Sequence, residues 1–155
     1  MNDTKQVQDE LRRSITVGWI NALQLVVIMF LVSVVRAAIA NDFKPFGRDP
    51  GNLGLDIMIV IFAIYALIPV AVRMFDGLIF RWTMVGAAVF FFLMFIAHQL
   101  THMVVDKMPL NIYHVLDFSH HAVLLWLIVC SVRWARMADR PMSVAAAPEL
   151  AVSPK

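Results

Sequence analysis

Read for where apolar and polar positions fall, the chain divides into four long apolar runs separated by short polar stretches. The runs lie at roughly 17–38, 55–75, 78–104 and 112–132. Each is long enough as a helix to cross a hydrocarbon core, which needs about 20 residues. The pattern predicts an all-α integral membrane protein, a four-transmembrane-helix antiparallel bundle. Between the second and third runs, "MFDGLIF" offers Asp76 and Gly77 for a tight turn. Between the third and fourth, "DKMPLN" places Pro109 to stop one helix and Asn111 to cap the next. Two helical hairpins are therefore expected, with Pro69 kinking the second helix. The stretch "ADRPMSVAAAPELAVSPK" has too few large apolar residues to fold alone. The expected organisation is thus a transmembrane domain over 1–137 and a mobile cytoplasmic tail over 138–155.

Composition supports this reading. Of the 155 residues, 61% are hydrophobic and only 15% charged, and the mean hydropathy, +0.75, lies outside the range of soluble domains. No nucleic-acid partner is expected. The first run is too long for a signal-peptide core and leads into further spans, so it reads as a retained helix. A single cysteine, Cys130, excludes an intramolecular disulfide and reads as buried packing.

Charge sets the expected orientation. Lys5, Arg12, Arg13, Arg73, Arg81, Arg133, Arg136, Arg140 and Lys155 fall on one side of the spans, against Arg36, Lys44, Arg48 and Lys107 on the other. Basic residues concentrate in cytoplasmic loops, so both termini are expected in the cytoplasm of a multi-pass protein of the bacterial inner membrane.

The candidate chemistry sits in one place. "HQLTHMVVDKMPLNIYHVLDFSHH", from His98 to His121, holds all five histidines and two aspartates. An aspartate at the centre of a membrane helix costs about 2.5–3.5 kcal/mol, so Asp117 needs a partner or a cavity. His98, His102 and Asp106 recur every four residues along one helix, while His114, Asp117 and His121 recur at three and four along the next. In an antiparallel hairpin the two stripes stand at matching heights. If both face inward, His98, His102, His114, Asp117 and His121 surround one small volume, and imidazoles with a carboxylate suit copper or iron, with zinc also admitted. Arg36, Asp106 and His120 fall around this set rather than in it. His120 is rotated by about 100° from His121, toward the rim of the site or the lipid. Asp106 also reads as a solvated pair with Lys107, and Arg36 as an ion pair with Asp56.

"HQLTH" and "DFSHH" resemble the histidine boxes of membrane di-iron desaturases and hydroxylases. Those families carry a third box, at the cytoplasmic face, so no family is assigned. The carboxylate and histidines on adjacent outer helix ends are similar to those of the copper-binding membrane subunit of particulate methane and ammonia monooxygenases, at a different spacing. "HMVVD" faintly resembles the cytochrome b anchor of succinate dehydrogenase.

The remaining polar and aromatic residues have simpler readings. The ten methionines read as packing. The run "FFFLMF" and the tryptophans Trp19, Trp82, Trp126 and Trp134 read as lipid-facing surface and interface anchors, while Asn21 and Gln24 are placed to bond across helices.

The expected function is a small membrane subunit with a His/Asp metal centre near the periplasmic face, serving redox chemistry or electron transfer. Its partners would be the lipid bilayer, other membrane subunits or further copies of itself, and a quinone or periplasmic redox partner. Two alternatives stay open: a haem b and quinone anchor, and a non-catalytic assembly subunit. Whether the centre turns over a substrate is open as well.

Overall fold

The computed structural model describes residues 3–41, 53–105 and 112–138. The expected tail at 138–155 lies, apart from Ala138, outside the described residues, as do Asp106, Lys107 and the loop they belong to.

Four helices form, and no strand is found among the described residues. They are α1 (Asp3–Ala40), α2 (Leu53–Met74), α3 (Leu78–Leu100) and α4 (Ile112–Ala138). A π-helical turn, Thr101–Val105, extends α3. All four helices are long and apolar enough to span a membrane. The chain is a multi-pass membrane protein built as a four-helix bundle.

The first helix departs from expectation. It begins at Asp3 rather than near residue 17 and runs for 38 residues. At about 1.5 Å per residue it is about 57 Å long, well beyond a hydrocarbon core. Its polar first third is helical because it packs along the α2–α3 turn. Gln8 Nε2 donates to Asp76 Oδ2 at 2.6 Å. Arg12 donates to the carbonyls of Val72 and Arg73 at 2.9 and 2.7 Å, satisfying acceptors that the end of α2 cannot satisfy itself.

The packing order also departs from expectation. Backbones pack closely between α1 and α2, α1 and α4, and α3 and α4. The pair joined by the shortest turn, α2 and α3, packs less closely. Its seam contains an open apolar groove of about 420 Å³, lined by Ile57, Val60, Ile61 and Ile64 of α2 and by Phe90 and Met94 of α3. The α3–α4 hairpin forms as expected.

At the end of the bundle carrying the start of α1, Arg81 is buried. It pairs with Asp76 at 2.7 Å and donates to the Trp134 carbonyl at 3.0 Å, with its guanidinium 5.1 Å from the centre of the Trp134 ring. That arrangement ties α3 to α4 and to the α2–α3 turn. Trp19 and Trp134 are core residues rather than interface anchors, whereas Trp82 and Trp126 face outward. The phenylalanine run divides likewise: Phe91 and Phe95 point inward and Phe90 outward, because consecutive helical residues sweep through every face.

Close approach of α1 and α4 depends on Gly18. A Cβ there would lie 2.6 Å from Leu127 Cδ2 and 2.9 Å from Trp126 Cζ3.

Candidate functional site

The sequence-predicted cluster divides between the core and the surface of the α3–α4 pair. Phe95 and His120 lie with ring centres 4.3 Å apart, and Phe92 and His121 5.7 Å apart, which sets the register of the two helices.

His120 occupies the centre of the site. Expected at the rim or in the lipid, it is fully buried. The stripe that α4 presents to the bundle carries His120, Leu124, Leu127 and Ser131, all with no exposed surface. The rotation that separates His120 from His121 therefore turns His120 inward. Its Nε2 lies 3.3 Å from the Tyr65 hydroxyl, across the core on α2. Tyr65 is equally buried, and its ring is 5.3 Å from Trp19 and 4.6 Å from Phe91, both edge-on. The other imidazole nitrogen, Nδ1, is buried without a hydrogen-bond partner.

His121 lies beside it, ring centres 6.3 Å apart, with its side chain only 11% exposed. Nδ1 is 2.7 Å from the backbone carbonyl oxygen of Asp117 and 3.8 Å from that residue's carboxylate. A carbonyl oxygen can only accept, so Nδ1 carries the hydrogen. In the neutral ring, Nε2 then presents a lone pair. That nitrogen is buried with no partner, against an edge-on Phe92.

The other candidates are dispersed. His114 is buried, but His98, expected to face inward, is exposed beside Phe95, ring centres 6.5 Å apart. Its neighbour Gln99 takes the inward position, buried with its Nε2 unpartnered. The π-helical turn begins at Thr101 and contains His102, so the four-residue stripe through His98, His102 and Asp106 is not carried by a continuous α-helix. The side chains of His102 and Asp106 lie outside the described residues. Among the described residues, no group of three or more His, Cys, Asp or Glu is placed to hold a metal ion. What the site holds together is two adjacent imidazoles, each with one nitrogen bonded within the protein and the other buried and unused.

Tyr65 and Gln99 were not among the residues expected at the site. Each carried a signal, since a hydroxyl or an amide deep in an apolar span requires a hydrogen-bond partner or a polar cavity. No protein-family model, curated protein or solved structure matches this chain.

Proposed function

We propose that the chain is a small subunit of the bacterial inner membrane that serves redox chemistry or electron transfer. Its centre is a copper or iron ion held by imidazole and carboxylate groups of α3 and α4 near the periplasmic face. One observation carries the reading: His121 has Nδ1–H anchored on the Asp117 carbonyl, the Asp117 carboxylate close by, and a buried, unpartnered Nε2. Metal-ligating histidines are typically held in this way, with one ring nitrogen donating to a carbonyl or carboxylate so that the other is oriented and made more basic. His121 is the anchoring ligand in this reading; the sequence-predicted donors His98, His102, His114 and Asp117 are not gathered around it in the structure, so completing the ligand set requires the outer ends of α3 and α4 to rearrange on binding. A bound ion would exchange single electrons with a quinone or a periplasmic redox partner. The apolar wall of Phe92 and Phe95 keeps water from the imidazoles and raises the influence of nearby charge on the potential.

Metal content of the purified protein tests the proposal in three forms: wild type, His121→Gln and His98→Ala. Loss of bound copper or iron from His121→Gln, in a protein of unchanged helical content, is the expected result. A wild type that carries no metal, or a His121→Gln variant that keeps all of it, overturns the proposal. A haem absorption band in place of metal transfers the reading to the haem anchor.

A further inference from the structure

The strongest unassigned feature lies along the exposed surface of α1. Val17, Asn21, Gln24, Ile28, Leu31 and Val35 recur at alternating intervals of four and three. This is the 3.5-residue period of a coiled-coil seam. All six are exposed, with Val17 at 45%, Ile28 at 44%, Leu31 at 54% and Val35 at 55%. The core-facing stripe, Ile15, Trp19, Ala22 and Val26, is offset from this seam by two residues, about 200° around the helix. The seam therefore points directly away from the bundle.

Two amides interrupt it. Asn21 and Gln24 lie eight and eleven residues beyond Arg13, the last charge before the apolar run. At 1.5 Å per residue these positions are about 12 and 16 Å along the helix, at hydrocarbon depth. Elsewhere in the bundle, five serine and threonine hydroxyls are satisfied by their own helix. Thr16, Ser33, Thr83, Thr101 and Ser119 each donate to the carbonyl four residues earlier, at 2.8–3.0 Å. Neither Asn21 nor Gln24 makes such a bond or bonds to a neighbouring helix among the described residues, contrary to the expectation that they bond across helices of one chain. An amide facing lipid leaves donors and acceptors unpaired, and association with another helix removes that penalty.

We propose that this seam is the interface of a parallel homodimer, in which α1 of each copy packs on α1 of the other. The complementarity is internal to the chemistry: an amide both donates and accepts, so Asn21 pairs with Asn21 of a second copy across a two-fold axis along the membrane normal. Two copies in one membrane share that orientation and bring like positions level. Three of the four remaining positions agree, since β-branched Ile28 and Val35 at one set of seam sites with Leu31 at the other is the arrangement that favours two strands, with asparagine setting the register; Val17, on the Leu31 set, is the exception. The helices cross at about +20° with a left-handed supercoil. This interface is independent of the metal reading and stands if that reading fails.

The full chain tests the proposal in lipid vesicles after Cys130→Ala removes the native thiol. Oxidation of Leu31→Cys and Ile28→Cys should give disulfide-linked homodimers. Leu67→Cys, which is 66% exposed on α2, should not. Energy transfer between labelled copies, followed as the protein is diluted in lipid, gives the dissociation constant. Asn21→Leu should raise it about three- to fifteenfold, the range for interhelical side-chain bonds in bilayers. Leucine at a lipid-facing position keeps the fold, which circular dichroism verifies. Equal crosslinking at Leu67 and Leu31, a monomeric wild type at every dilution, or a dissociation constant unmoved by the combined Asn21→Leu and Gln24→Leu changes overturns the proposal.

Discussion

At the residue scale, the bundle depends on a few polar side chains that bond across helices. Tyr65 is the clearest, because its hydroxyl meets His120 Nε2 inside an otherwise apolar core. Tyr65→Phe keeps the ring packing and leaves a buried nitrogen without a partner, which costs about 1–3 kcal/mol. Unfolding in mixed detergent should register that loss. Arg81 makes the second connection. Its side chain is 7% exposed while that of Asp76 is 38% exposed, so removing the guanidinium strands less charge than in a fully buried pair. Arg81→Ala is expected to lower stability by about 2–3 kcal/mol, below the 3–5 kcal/mol of a buried pair. Arg81→Lys should recover part of it, because a lysine reaches Asp76 but lacks the planar group that also meets the Trp134 carbonyl and ring. The charge count grouped Arg81 with the basic residues expected on the cytoplasmic side without showing that it is buried.

At the element scale, the four spans were legible because length and hydropathy alone decide what crosses a bilayer. The helical start of α1 was not legible, since residues 3–16 carry a polar surface whose support comes from the end of α2, through Val72 and Arg73, and from Asp76 in the turn after it. Proximity in sequence also misled the pairing of elements. The three-residue α2–α3 turn suggested a tight hairpin, yet α1 fits against both α2 and α4 because Gly18 lets α4 come close. That contact is testable. Gly18→Val places branched carbons against Leu127, which is fully buried, and overpacking of this kind costs about 1–3 kcal/mol. A variant as stable as wild type would show that α1 and α4 tolerate a wider separation. The same lesson holds for α4, where the spacing put Asp117 and His121 on one stripe but turned that stripe inward and His120 away, whereas His120 is the fully buried one. Rotation about a helix is set by its neighbours, here Tyr65 and Phe95 for His120 and Phe92 for His121.

At the scale of the whole molecule, the nine-to-four distribution of basic residues predicts an orientation with both termini in the cytoplasm. A phosphatase fused to the C-terminus should be inactive and a cytoplasmic fluorescent reporter bright. The opposite result would move the histidine end to the cytoplasm. In the proposed function, His121, oriented by Asp117, anchors a metal ion in a redox subunit. The most direct test of that role is metal stoichiometry, with an absorption spectrum, for full-length protein purified without a metal-affinity tag, comparing wild type with Asp117→Asn. Wild type should carry copper or iron at a fixed stoichiometry. Asp117→Asn, which preserves shape, should bind the metal about 10- to 100-fold more weakly, the loss typical when the group that orients a ligand is removed. Wild-type protein free of metal, or an Asp117→Asn variant of unchanged affinity, would contradict the proposal.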